Sequence, residues 1–383
     1  MIRRLIVLQV ILTVYCNCAA GQVRVRIFAD KPEASAIFTP VIGDYLLDIY
    51  DDKPFILKRG EPVILERYDG RIAVKVRDSQ SFICDSLIIK GLTGGDEFYL
   101  RINSSQPVRQ RYAGNLQCFP DLGKIVFINT CEIEKYIAGV VKAEGGSGRY
   151  IEYIKTQALL ARTYMYKYFH RHDLDRYNLC DNTHCQAFNG ITGDSMIIRA
   201  ALETKGQVVL DKDSILINSA FHSNCGGETC SSDDVWLSGY PYLKKVTDPY
   251  CSASKNAVWT KSIPLSEWRA YLLASGYVNS GNDPSVFNFT QLTRQKDYRL
   301  GSFSIPFSKI RTDLNLRSAF FSISVKDNMA ILKGRGYGHG VGLCQEGAMV
   351  MASRGLKYSD IISFYFSGVI ITNVNNRKKA EDL

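Results

Sequence analysis

Residues 131–172 read CEIEKYIAGVVKAEGGSGRYIEYIKTQALLARTYMYKYFHRH, and this stretch decides the fold. In its second half Ile151, Ile154, Ala158, Ala161, Met165 and Phe169 recur at three- and four-residue steps. That is the helical period with one apolar stripe, and it predicts a long amphipathic helix. Residues 133–143 are apolar enough to form a shorter buried helix ahead of it. Gly-Gly-Ser-Gly at 145–148 separates the two, a breaker that lets helices cross in close contact. Glu144 stands at that junction, behind Val140, Val141 and Ala143. A carboxylate at an apolar helix end loses hydration and holds its proton more tightly than in water. That is how a glutamic acid becomes a general acid at neutral pH. The competing expectation is a solvated glutamate at a helix C-terminus.

Outward from this stretch, 383 residues suffice for two domains, or for one domain with an elaborated entrance. A hydrophobic content of 46% with 22% charged residues describes a folded chain, not a disordered one. Arg3 and Arg4 precede an apolar run at 5–15, too short to span a bilayer, and small residues follow at Cys18, Ala19 and Ala20. The pattern is that of a secretory signal peptide over 1–20. No later apolar run is long enough for a membrane helix, so the mature chain is expected to be exported, periplasmic or extracellular. The formal charge of +9 falls to +7 once the two signal arginines leave. Mild basicity suits an anionic polymer such as cell wall, and no Lys/Arg block argues for nucleic acid. Nine of the 11 cysteines lie beyond the signal. An odd number in an oxidising compartment leaves at least one unpaired, or ligating something.

Residues 23–129 show short β-prone runs with turn signals at Arg59-Gly60 and Asp69-Gly70, the latter a hairpin candidate. This section has no histidine and reads as a scaffold or accessory binding domain. All five histidines come later, in three unusual stretches. The first is His170-x-His172 followed by Cys180-Asp-Asn-Thr-His184-Cys185. Thiolates and imidazoles so close together suit one tetrahedral zinc held by His172, Cys180, His184 and Cys185. Four protein ligands would make that zinc structural. A Cys180–Cys185 disulfide is the alternative.

The second stretch, FHSNCGGETC at 221–230, follows a strand-like SILINSAF and places hydroxyl, imidazole and amide groups around a Gly-Gly turn. Trp236, Tyr240 and Tyr242 follow, as faces on which sugar rings could stack. A local Cys225–Cys230 disulfide is the plainer reading. The third, GRGYGHGVGLCQEGA, has five glycines in nine residues around His339 and then opens a helix at Gln345. It is not a phosphate loop, and Cys344 with His339 lacks an evident orienting partner for nucleophilic catalysis. Between 252 and 329 we expect an elaboration of the same domain, with Ser266 capping a helix from Glu267 and a hairpin at Asp327-Asn328.

Taken together, YIAGVVKAEGG, IKTQALLARTYMYKY, CDNTHCQAF, FHSNCGGET with DDVW, PYLKKVTDPYC, and GYGHGVGLCQEGAMVMA with YSDIISFYF resemble the stage II sporulation protein D / amidase enhancer (SpoIID/LytB) family. The pieces occur in family order over roughly residues 131–371. The expected fold is α+β: a β-rich section at 23–130, a mixed helix and sheet core with a substrate groove at 131–372, and a polar tail at 373–383. The resemblance implies peptidoglycan degradation by a lytic transglycosylase acting on glycan strands stripped of stem peptides. Glu144 falls at the family's essential glutamate, and some relatives carry zinc near the Cys180–Cys185 segment. On this reading Arg162 would meet a muramyl lactate carboxylate. Gln157, His222, Ser223, Thr229, His339 and Gln345 would line the groove. The runner-up keeps the fold and drops the chemistry: a wall-binding protein that recruits or stimulates a cell-wall amidase. A zinc hydrolase built on Cys180, His184 and Cys185 is a third reading.

Overall fold

The computed structural model describes residues 21–31, 34–49, 54–76, 80–145, 149–278, 281 and 283–376. The expected signal peptide, most of the Gly-Gly-Ser-Gly breaker and the last residues of the tail lie outside these. The protein is α+β and divides into two compact units, Met1–Gly146 with Tyr168–Lys205 and Ser147–Lys167 with Gly206–Leu383.

In the first unit, two antiparallel-rich sheets bury alternate residues, as the period of two requires. One has the spatial order Leu179–Cys180, Gln22–Ile27, Lys124–Glu132, Asn115–Asp121, Leu87–Gly91, Tyr45–Asp48, Phe55–Leu57. The other runs Val108–Ala113, Glu97–Ile102, Ser35–Ile42, Val63–Tyr68, Arg71–Val76, Gln80–Cys84. The hairpin at Asp69-Gly70 forms as expected, pairing Tyr68 with Arg71 and putting both turn residues at positive φ. Residues 131–146 and 168–205 join this unit, not the following one, so the compact units do not follow the boundary expected near 130. Two connections explain it. The strand Lys124–Glu132 runs straight into helix α1 (Ile133–Val140), and Leu179–Cys180 pairs in parallel with Gln22–Ile27.

Helix α1 presents Tyr136, Ile137, Ala138, Gly139 and Val140 to the interior. At Gly139 an added Cβ would collide with the Gly190 carbonyl and the Phe188 ring, so the residue must be glycine for the 186–190 segment to lie this close. A chain of rings continues the contact: Tyr136 to Phe188 at 5.0 Å, Phe188 to Tyr112 at 6.0 Å, Tyr112 to Phe98 at 5.7 Å. Phe188 is fully buried, and truncating such a ring costs about 3–5 kcal/mol.

The second unit is built on helix α2 (Ile151–Lys167). The sequence predicts one apolar stripe, but every residue from Tyr153 to Thr163 except Lys155 is buried. Three elements pack on it: the strand Gln207–Leu210, helix α6 (Gln345–Ser353) and helix α7 (Tyr358–Tyr365). Its buried polar groups are satisfied locally, Thr156 donating to the Glu152 carbonyl and Thr163 to that of Leu159. Of SILINSAF only the last residue enters a strand, Phe221–His222, which pairs in parallel with Leu343–Cys344. Segment 252–335 has a core of its own, with Trp259, Trp268, Tyr298, Phe307 and Phe321 among its buried residues. There the Asp327-Asn328 hairpin forms, whereas the helix expected from Glu267 begins at Leu265 after Pro264, without a Ser266 cap. Asn373, assigned to the tail, still pairs with Gln207. Among the described residues no helix is long and apolar enough to cross a membrane.

Candidate functional site

Helix α1 does not end at Val140; it widens into a π-turn over Val141–Gly145, and Glu144 projects from that turn. Such turns re-aim one side chain and are frequent at functional positions. The Glu144 Oε1 atom accepts the Ala187 N–H at 2.7 Å. Partial burial raises its pKa to about 7, and the Ala187 hydrogen bond opposes the rise without cancelling it. A carboxyl group poised there is divided between its acid and its carboxylate at neutral pH, and can both give up a proton and take one back.

Ala187 is held from both sides. The Gln186 side chain accepts from the Tyr136 hydroxyl on helix α1, and Phe188 closes the ring stack. On the N-terminal side lie the expected metal ligands. His172, Cys180, His184 and Cys185 each turn one ligand atom inward, all within 4.8 Å of one another. Cys180 Sγ stands 3.6 Å from His184 Nδ1, and Cys185 Sγ stands 3.5 Å from His172 Nε2 and 3.6 Å from His184 Nδ1. Edges of roughly 3.5 Å are what tetrahedral zinc with two thiolates and two imidazoles demands, so the residues fit that ion. Asn182 shapes the loop by accepting the His184 N–H at 2.9 Å while its carbonyl takes the Cys185 N–H. The Cys180 thiol, with help from His172 and Arg171, pulls the Cys185 pKa down to about 4 against its burial. His172 Nδ1 meets Asp175 at 3.2 Å, the outer partner that fixes a ligating imidazole. His170 is turned away onto Asp173. No disulfide joins any of the nine described cysteines, so neither the Cys180–Cys185 nor the Cys225–Cys230 bridge is present.

The remaining expected site residues belong to the second unit. His222 and His339 stack edge to face at 5.5 Å, with Trp236 5.9 Å from His339. Burial keeps both imidazoles neutral: it pushes His222 well below its usual range and His339 down to about 4. Their tautomers follow from the backbone. His222 Nδ1 donates to the Val341 carbonyl, whereas His339 Nδ1 accepts the Val341 N–H. The His222 Nε2 atom is buried without a partner among the described residues. Gln345 donates to Gln157 at 3.4 Å, and the buried Gln157 Nε2 also lacks a partner there. Ser223 is half-buried next to this pair of strands.

Two expectations are corrected. Arg162 is wholly buried and donates to the Gln207 carbonyl, so it is no lactate contact. Thr229 is buried, and its hydroxyl accepts the Val246 N–H, a turn contact instead of a groove wall. Tyr242 is also buried, with its hydroxyl accepting the Asn218 N–H, which leaves Trp236 and Tyr240 as the more accessible rings. Sequence reasoning missed the Ala187 N–H, because a backbone donor carries no residue-type signal.

A family model described as "Stage II sporulation protein" matches residues 121–210, which include Glu144 and the four clustered His and Cys residues. An uncharacterised protein of Brachyspira hyodysenteriae is 30% identical over 280 residues, covering 70% of this chain and 74% of its own. Stage II sporulation protein D of Bacillus amyloliquefaciens is 28% identical over 272 residues, 65% of this chain and 76% of its own. The amidase enhancer of Bacillus subtilis is 29% identical over 290 residues, but these are only 40% of its length. The chain belongs to the SpoIID family.

Proposed function

We propose that this protein is an exported peptidoglycan lytic transglycosylase using Glu144 as its single acid and base. The observation that supports it is the partly buried Glu144 carboxyl, with a pKa raised to about 7 and oriented by the Ala187 N–H. The Glu144 proton passes to the glycosidic oxygen between N-acetylmuramic acid and N-acetylglucosamine. The C1–O bond breaks with its electron pair going to that oxygen, and an oxocarbenium-like centre develops on the muramyl C1. The Glu144 carboxylate then removes the proton of the muramyl 6-hydroxyl as O6 bonds to C1. The product is a 1,6-anhydro end, formed without water and with Glu144 reprotonated. A retaining or inverting hydrolase would need a second carboxylate in a set position.

The first-unit cluster of His172, Cys180, His184 and Cys185 is proposed to hold one zinc, which would supply structure and no catalytic position. What these residues do for the reaction is to pin the loop that leads to Ala187. Within the second unit, taken by itself, Ser223, His222, His339, Gln157 and Gln345 offer polar groups of the kind that bind sugars, and Trp236 and Tyr240 offer ring faces. The relative named amidase enhancer supports a second reading in which the protein binds wall glycan and stimulates an amidase.

The test uses purified mature protein and Glu144→Gln on glycan strands freed of peptides, with products read by mass spectrometry. Anhydro ends from the wild type alone are expected. Equal strand binding with no products from either protein would overturn the transglycosylase reading in favour of the wall-binding one.

A further inference from the structure

A second cluster of ligand atoms lies wholly inside the second unit, far apart in sequence and unused by the chemistry above. Cys225, Asp248, Cys251 and Cys344 each turn one sulfur or carboxylate oxygen to a common point, all within 4.8 Å of one another. All four are buried, none more than 1% exposed. We propose that these residues form a tetrahedral structural site for a divalent, thiolate-seeking metal ion of the zinc class.

The spacing argues for one ion. Two thiolates on a shared zinc stand about 3.8 Å apart, given bonds of about 2.3 Å. Here all four ligand atoms lie within 4.8 Å of one another. Cys225 Sγ, 3.3 Å from Cys251 Sγ and 3.2 Å from Asp248 Oδ2, stands somewhat closer than two such thiolates, yet well beyond the roughly 2.05 Å of an S–S bond. The surroundings argue for charged sulfur. Backbone N–H groups are aimed at the thiols: Gly227 at Cys251 Sγ at 3.3 Å, and Cys225 and Gly347 at Cys344 Sγ at 3.3 and 3.4 Å. Cys344 is also the N-cap of α6, where the helix end favours a thiolate. A buried disulfide has no use for such donors. It would also leave the Cys344 thiol and a buried Asp248 carboxylate beside it with nothing to balance them.

The outer shell is in place as well. Asp248 Oδ2 accepts the Tyr365 hydroxyl at 2.9 Å, and Oδ1 accepts the Tyr250 N–H at 2.8 Å, orienting the carboxylate. Arg294, a buried cation, donates to the Cys225 carbonyl at 2.7 Å. At Gly347 an added Cβ would strike both Asp248 Oδ2 and the Tyr365 hydroxyl, so the wall beside the carboxylate has room only for glycine. The ion would tie the Cys225-Gly226-Gly227 turn, the 248–251 segment and the start of α6 together. That is where a tie is needed, because the parallel pair carrying His222 is only two residues long on each strand.

The test counts metal in anaerobically purified full-length mature protein by plasma mass spectrometry, with a Cys180→Ser/Cys185→Ser variant isolating the second cluster. That variant should retain one zinc per chain. Replaced by Co²⁺, its ion should show tetrahedral visible bands and a near-ultraviolet charge-transfer band of three-thiolate intensity. Adding Cys344→Ser should abolish or reduce that band, and in the wild-type background Cys344→Ser or Cys251→Ser should lower the zinc content by one. Should the additional variants fail to fold, the charge-transfer intensity of the first variant still counts the thiolates. The proposal is overturned if that variant purifies without metal, or if its Co²⁺ band is not thiolate in origin. A Cys225–Cys251 disulfide, seen as two cysteines that escape alkylation in denaturant without reductant and are alkylated after reduction, would equally sink it.

Discussion

The two thiol clusters differ in how local they are and in what each is placed to hold. In the first unit the four residues fall within fourteen positions of sequence, His184 is exposed, and the loop leads within two residues to the donor that holds Glu144. In the second unit the four come from three separate segments and are sealed from solvent, tying strand, loop and helix together. A local cluster can set the position of one backbone group next to it. A dispersed, buried cluster acts chiefly on the packing of the whole unit.

The strongest way to sharpen this contrast is to set the ceiling. Glu144→Gln should lower the yield of anhydro ends by about a thousand-fold or more, within the range expected for losing general acid and base together. Quantitative mass spectrometry of the products checks it, and activity within ten-fold of wild type would break the link between Ala187 and chemistry. Next, Cys185→Ser should reduce turnover by roughly 10–100-fold, as outer supports of a site commonly do. It should do so with the second unit still folded, as judged by limited proteolysis. If Cys185→Ser and Cys344→Ser impair turnover and folding alike, the two clusters do not have separate roles.

Cys344→Ser should act on stability. A loss of about 3 kcal/mol in the second unit, or a Tm lower by on the order of 10 °C, is the expected calorimetric result. The pH dependence is a finer test. Glu144 must be protonated to act as the acid, so kcat/KM should fall as pH rises through about 7. Its folded pKa lies above the ordinary glutamate value of 4.5, so its stability contribution is complete below that value and is lost as pH rises through about 7. Glu144→Gln removes that loss, and denaturation above pH 7 should find the variant more stable by on the order of 2 kcal/mol. The smallest effect is expected at His339. It is already neutral at physiological pH, so His339→Gln should change KM several-fold without adding or removing a limb from the pH profile between 5 and 8.

Glu144, the two helices around it, the hairpins at Asp69-Gly70 and Asp327-Asn328, and the set His172, Cys180, His184 and Cys185 were legible because each is a local pattern. Helical period, turn chemistry and ligand proximity act over a few residues, and a linear reading sees them. Arg162 and Thr229 were misjudged because a polar side chain facing a backbone carbonyl or N–H looks, in sequence, the same as one facing a substrate. Only the tertiary structure decided that helix α2 is enclosed on nearly every side, and that the chain joins 168–205 to the strands before it. It also decided that Cys225, Asp248, Cys251 and Cys344 converge. Those outcomes depend on which distant segments meet, and the closure of long loops leaves no periodic trace in the residues that make them.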